Sequence, residues 1–168
     1  MVVGHARHGK DTVAELLMER GYTFISSSMA AAERVVLPYL KAKGIHYDSV
    51  EDCFQDRGNH RAEWYNAITG YNTPDKARLG REIYKDYDVY CGLRNSREFH
   101  ALRNEGAFDV SIFVDASERL PLEDKSSMGI EPWMADYVLD NNGTLEELIP
   151  LFFNLITTIE RKAGHTCR

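Results

Sequence analysis

The sequence predicts an α/β fold, with a mainly parallel sheet of about five short strands covered by helices on both faces. Three observations lead there. Apolar stretches of strand length alternate with segments of helical period. A glycine-bearing turn, Gly4–Thr12, joins the first apolar stub to the first amphipathic segment. Capping-box spacings at Asn95–Glu98 and Thr144–Glu147 start helices within this alternation. Strands joined through helices run parallel as a rule, and parallel sheets bury both faces.

The elements follow in order. Val2-Val3 is a very short first strand, against the ~5–6 residues usual for a strand; either it is short or the chain starts upstream. Lys10–Arg20 is a helix with Val13, Leu16 and Leu17 on one face and Gly21 as its stop. Tyr22–Ser26 is a second strand. Met29–Lys43 is helical, with a kink or break expected near Pro38, and His60–Thr69 is a further helix. Thr73-Pro74 reads as an N-cap with proline at the first helical position, opening a helix to about Lys85. Tyr87–Cys91 is the third strand and Phe108–Asp115 the fourth. Ala116–Met134 carries two prolines and no strong period, so it reads as a loop or lid. Asp136–Leu139 is the last strand. Leu145, Leu148, Phe152, Leu155, Ile156 and Ile159 then share one helical face. Pro150 either kinks that helix or marks its true start.

The 168 residues suffice for one domain with its own core, and no repeat or linker divides residues 1–168. No apolar run approaches the ~20 residues of a membrane span, and no secretion signal is seen. Three cysteines, Cys53, Cys91 and Cys167, are odd in number and far apart, which fits a reducing cytosol rather than a disulfide framework. Histidines 5, 8, 46, 60, 100 and 165 show no HxxxH or HxH pairing, which argues against zinc. A net charge of −6 gives no support to broad non-specific DNA binding, though it leaves room for a local basic groove.

The chemistry concentrates in Gly4-His5-Ala6-Arg7-His8-Gly9-Lys10-Asp11-Thr12. The glycines let the backbone turn so that successive N–H groups face one point, where an anion would sit. The following helix adds its free N–H groups and the positive end of its dipole. Lys10 supplies a mobile cation for β- and γ-phosphates. The expected ligand is therefore a nucleoside triphosphate, ATP, with Mg²⁺. Asp11 stands where a Ser or Thr hydroxyl is usual. Three roles are open to it: a Mg²⁺ ligand, direct or through water; a general base towards an acceptor hydroxyl; or an acid that merely favours the helix dipole. Thr12 would touch the α-phosphate or assist the metal. His5 and His8 are expected to shape the loop rather than catalyse.

The string GHARHGKDTVAELL resembles the start of bacteriophage deoxynucleoside monophosphate kinases, in the nucleoside-monophosphate-kinase group of P-loop proteins. Tyr90-Cys-Gly-Leu-Arg94-Asn-Ser-Arg-Glu98 resembles their third strand and following turn. Asp136-Tyr-Val-Leu-Asp140-Asn-Asn-Gly-Thr-Leu resembles their last strand and the loop bordering the donor base, which implies that Asn142 and Gly143 contact the nucleotide. The resemblance implies a three-layer P-loop sandwich, an acceptor-binding segment about 29–70, a lid about 116–134 and the cytoplasm of an infected bacterial host. Where the family carries an Asp near the end of strand three, this chain has Gly92. One carboxylate is lost there and one gained at Asp11, which suggests compensation. Asp115, ending the fourth strand, is either a second metal ligand or a capping residue before the lid.

Arginines suit an acceptor phosphate because the planar guanidinium grips it bidentately. Arg94, just past the end of a parallel strand, is the first candidate; the resemblance places it on the transferring or acceptor phosphate. Arg57, Arg61, His60, Trp64 and Tyr65 form a second cluster able to hold a phosphate and stack a base. Ser27, in Ser26-Ser27-Ser28 after strand two, can hydrogen-bond an acceptor sugar or base. Arg7 and Arg119 are candidates for phosphate contact. The lid is poor in cations, with Arg119 and Lys125 against Glu118, Glu123, Asp124 and Glu131.

Three functions fit. The first is ATP-dependent phosphorylation of a deoxynucleoside monophosphate. The second, known among relatives of this group, is phosphorylation of the hydroxyl of 5-hydroxymethyluracil within DNA, with Asp11 as base and a basic track through Arg57, Arg61, Arg78, Arg81, Arg94 and Arg97. The third is a non-catalytic nucleotide-binding module, against which the intact Lys10 argues. Base preference and oligomeric state are not legible.

Overall fold

Alternation along each strand sorts its side chains to the two sides of a sheet. Val2, Cys91, Ile112 and Val114 point one way, and Val3, Tyr90 and Phe113 the other. The computed structural model describes residues 1–164, so the calls on His165 and Cys167 lie outside the described residues. In it, strands β1 (Val2–Val3), β2 (Phe24–Ser26), β3 (Val89–Cys91), β4 (Ile112–Asp115) and β5 (Tyr137–Asp140) form one five-stranded, all-parallel sheet in the order β2-β3-β1-β4-β5. The predicted α/β class is the one observed.

Helices α1 (Lys10–Glu19) and, at the C-terminal end, α8 (Leu145–Lys162) cover one face. Val13, Leu16 and Leu17 of α1 meet Leu148, Phe152 and Ile156 of α8 over Val2 and Val114. The other face carries α2 (Ser27–Ala31), α3 (Leu37–Ala42), α4 (Val50–Gln55), α5 (Arg61–Tyr71), α6 (Arg78–Ile83) and α7 (Ser96–Asn104). Central β1 has only two residues, yet it is well held. Ile112 N donates to Met1 O at 2.9 Å and Gly92 N to Val2 O at 2.8 Å, so both flanks are paired. The connection leaving β1 runs to one edge of the sheet and that leaving β4 to the other. Ligands of open α/β sheets bind at such a divergence, beyond the carboxyl ends of the strands.

Several boundaries differ from expectation. Three strands are shorter, because side chains close their ladders early. Asp88 Oδ2 accepts from Thr23 N and Oγ1, both at 2.8 Å, ahead of β2 and β3. Asp136 Oδ2 accepts from Ser111 N at 2.8 Å just before β4, and Phe108 packs on Phe99 instead of extending that strand. The helix through Pro38 does not break. A π-helical segment, Ala32–Val36, precedes the proline, which sits in the first turn of α3. A wider turn there accommodates a residue with no N–H and a ring that crowds the preceding turn. Thr73-Pro74 does not cap a helix. Its peptide bond is cis and α6 starts later, at Arg78, after Asp75 Oδ1 has accepted from Ala77 N at 3.1 Å. Helix α4, capped by Ser49, is an addition. The Thr144–Glu147 capping box forms as expected, and α8 runs from Leu145 through Pro150.

Candidate functional site

The Gly4–Thr12 loop leaves β1 at the divergence point. Gly4 has φ +148° and a Cβ there would lie 2.5 Å from Val114 O; Gly9 has φ +96° and a Cβ would strike the Asn141 amide. Both positions therefore demand glycine. Arg7 also sits in the left-handed region, at φ 63°. Such alternation of backbone hands turns N–H groups inward to make an anion nest. Gly9 caps α1 without any side-chain hydrogen bond, so the first-turn N–H groups of α1 are left for a ligand.

Residues distant in sequence hold the loop. His8 is fully buried; its Nδ1 accepts from Ala116 N at 3.0 Å, which leaves Nε2 to donate to Pro121 O at 3.4 Å. His5 Nδ1 accepts from Glu123 N at 3.0 Å, and burial first, then neighbouring His8, lowers its basicity. Through these hydrogen bonds both histidines join the loop to the segment after β4. Asn141 is a residue that sequence reasoning missed. Buried, it donates from Nδ2 to His8 O at 2.9 Å, tying the β5–α8 turn to the loop. Beside it, Asn142 Oδ1 accepts from Glu118 N at 2.9 Å, and Gly143 leaves room for the Glu147 carboxylate to reach Thr144 N at 2.7 Å.

A second missed residue is Glu123. Its Oε2 accepts from Ala6 N at 2.5 Å, and its Oε1 accepts from the Arg94 guanidinium. A carboxylate thus occupies an inward-facing N–H of the nest. Burial pushes Glu123 up, but the Ala6 N–H, Arg94 and Lys10 together hold it below the usual carboxylate range. Lys10 meanwhile donates to His5 O at 2.5 Å and is made less basic chiefly by burial. The sequence signal for Glu123 was only the acidity of the lid, which counted against phosphate binding there.

Asp11 is exposed on the first turn of α1 and has no ion-pair partner among the described residues; Cys91 Sγ approaches it at 3.8 Å, and Lys10 feels its charge. The Cys91 thiol is pushed up to about 12, mainly by burial, so it stands as a neutral thiol at neutral pH. Thr12 is half-buried one residue on. Asp115 caps the lid start, accepting from Ser117 N and Oγ, each at 3.1 Å, while lying 4.0 Å from His8 Nδ1. No group of three metal-ligating side chains converges among the described residues. The donor set nonetheless suits Mg²⁺, which takes few protein carboxylates and completes its shell with phosphate oxygens and water. The residue just past the end of strand three is glycine for a structural reason. Gly92 has φ +90°, and a Cβ there would sit 3.3 Å from Ser27 Oγ and 3.8 Å from Lys10 Cε.

Next to Gly92 opens a cavity of about 760 Å³. Ser27, Arg61, Trp64, Tyr65 and Arg94 all line it, so most of the predicted acceptor residues are brought together, while His60 does not line it. Arg57 lines an adjoining hollow of about 560 Å³ that shares Arg61 and Trp64. Arg119 stands apart from the cavity, its Nε donating to Asn141 O at 2.7 Å. Trp64 is at once a core residue and a wall of the cavity. The expected continuous arginine track is interrupted. Arg81 is paired with Asp75 and Glu105, and Arg78 lies over the Tyr71 ring at 3.9 Å with Glu82 nearby.

No family model and no curated protein matches this chain. Among solved structures, it is similar to the TT1252 protein of Thermus thermophilus (TM-score 0.47, 15% identity, covering 94% of this chain and 95% of that one). It is likewise similar to the shikimate kinase of Aquifex aeolicus (TM-score 0.45, 14% identity, covering 99% of this chain and 100% of that one). The functional reading therefore rests on the site itself.

Proposed function

We propose that this protein is a P-loop phosphotransferase that moves the γ-phosphate of ATP to a deoxynucleoside monophosphate. One observation carries the reading: Ala6 N–H from the phosphate loop and Arg94 from the acceptor cavity converge on a single carboxylate, that of Glu123. The two sides of the site therefore share one anion position, where a transferring phosphoryl group would lie. The loop amides and Lys10 grip the donor phosphates. Arg94 neutralises the γ-phosphate from the cavity side as an acceptor phosphate oxygen bonds to phosphorus and the bond to the β-phosphate oxygen breaks, releasing ADP. Such transfer needs positioning and electrostatic stabilisation more than a base. Asp11, Thr12 and Asp115 are the residues that would hold Mg²⁺, which supplies charge neutralisation to the phosphates. In this reading residues 1–168 act as one domain, Ser27, Arg57, Arg61 and Trp64 hold the acceptor, and Asn142, Gly143 and Arg119 border the donor.

Two consequences can be measured. Glu123 must vacate the nest when ATP enters, so Glu123→Gln, which removes the competing charge, should tighten ATP binding about tenfold by calorimetry; weaker binding would give Glu123 a supporting role instead. Asp11→Ser should shift the Mg²⁺ concentration needed for half-maximal activity upward several-fold. An unchanged Mg²⁺ dependence would remove Asp11 from the metal set.

The alternative acceptor, the hydroxymethyl group of 5-hydroxymethyluracil in DNA, draws on the unpaired Asp11 as a base. The interrupted arginine track favours the smaller acceptor. Labelled ATP and Mg²⁺ offered with free deoxynucleoside monophosphates, or with duplex DNA containing hydroxymethyluracil, separates the two. Label confined to DNA would overturn the proposal. Among the described residues no helix is long and apolar enough to cross a membrane.

A further inference from the structure

The carboxyl of Glu98 has a local role open to it and does not take it. In a capping box, the residue three positions after the cap reaches back to the cap's N–H. Glu147 does this at Thr144, with Oε2 accepting at 2.7 Å. At α7, Asn95 Oδ1 accepts from Arg97 N at 2.9 Å and Glu98 N at 3.3 Å, but no return bond from Glu98 is formed. Glu98 lines the 760 Å³ cavity instead.

There it meets few donors. No cation lies within ion-pair distance of it among the described residues. Burial raises its pKa, opposed first by the neighbouring Asn72 amide and then by the charge of Lys76. Yet Asn72 Nδ2 reaches full hydrogen-bond geometry with no partner. Apolar surface in the same lining comes from Trp64, Ile68 and Leu79, and the buried phenol of Tyr90 feels the Glu98 charge. A carboxyl left short of donors in such a place is costly unless a ligand brings them.

The placement suggests which ligand. Arg94 lies just before the extended cap Asn95, and Glu98 in the first turn of α7, and both line the same cavity. A phosphate held at Arg94 and a base edge at Glu98 are the two ends of one nucleotide, with the apolar walls as stacking surface. We infer that Glu98 reads the acceptor base and selects guanine, whose edge presents two adjacent N–H donors, over thymine or uracil. An ionised carboxylate only accepts hydrogen bonds. Guanine offers it a ring N–H and an amino N–H side by side. Adenine and cytosine offer an amino group next to a bare ring nitrogen. Thymine and uracil flank their single N–H with carbonyl oxygens, which would face the carboxylate lone pairs.

This inference rests on the nucleotide-acceptor reading, so its test is read by binding, without turnover. The four deoxynucleoside monophosphates are titrated into wild type, Glu98→Gln and Glu98→Asp by calorimetry. In wild type dGMP should bind tightest, about tenfold or more ahead of dTMP, in line with ~1–3 kcal/mol for a good bidentate base contact. Glu98→Gln replaces one acceptor with a donor, and should bring dGMP and dTMP within a few-fold of each other. Glu98→Asp withdraws the carboxylate by one methylene, and should cost dGMP more affinity than dTMP. Tightest binding of dTMP to wild type, or the same ranking in both variants, overturns the role of Glu98 and leaves the kinase reading intact. If no monophosphate binds wild type while ATP does, the acceptor class itself is wrong and the role of Glu98 falls with it.

Discussion

Lys10→Met should leave the protein folded and reduce phosphoryl transfer by about a thousandfold, the upper range for loss of one charge stabiliser in a preorganised site. Lys10 is the first residue of α1, and its ammonium now rests on the carbonyl of His5, inside the loop it serves. A methionine preserves the length and apolar stem of the side chain, so packing changes little. What is lost is a partly desolvated cation, which acts more strongly on phosphate charge than an exposed one. The check is a turnover measurement with labelled ATP, set beside a thermal melt. A variant that melts like wild type and keeps more than a tenth of its activity would show that Lys10 does not neutralise the transferring group.

Arg94→Lys is expected to reduce kcat/KM for the acceptor by about a hundredfold, although the charge is kept. A lysine is a point charge and cannot present two parallel N–H groups to a phosphate. Arg94 now donates to Glu123, which also accepts from Ala6 N, so its guanidinium already stands at the border between loop and cavity. The opposite possibility has a distinct signature. If Arg94 only tethers Glu123 and the lid, weakening that tether should tighten ATP binding and leave transfer undiminished. Measuring both quantities on one variant decides between them.

The parts of the site legible in the sequence are those set by local backbone chemistry. Gly4, Gly9 and Lys10 form a contiguous string whose geometry follows from glycine freedom and a helix start, and the structure places them accordingly. Thr144 and Glu147 are likewise three residues apart and make their capping box. The residues that went unread act over long separations. Glu123 meets His5 across 118 positions, and Asn141 meets His8 across 133. Nothing in a glutamate among other acids, or in an asparagine pair after a strand, shows which loop it will support. Glu98 misled for a related reason: its spacing satisfied a local rule that the tertiary environment overrode. Strand ends were overextended where side chains such as Asp88 and Asp136 took the hydrogen bonds a ladder would otherwise use. The cluster proposed for the acceptor was partly legible, since aromatic and guanidinium groups at helical spacing mark a surface. That Ser27 and Arg94 join it follows only from β2 pairing with β3, with Ser26 opposite Cys91.

The central claim is that the loop from Gly4 to Thr12 holds the phosphates of a nucleoside triphosphate. It is tested most directly by following backbone amide resonances of the ¹⁵N-labelled protein as ATP and Mg²⁺ are added. The account predicts saturable shifts concentrated at Ala6, His8, Gly9, Lys10 and Asp11, together with loss of the Ala6–Glu123 hydrogen bond as phosphate replaces carboxylate. Saturating ATP that leaves these amides unmoved, or shifts only residues remote from the loop, would contradict it.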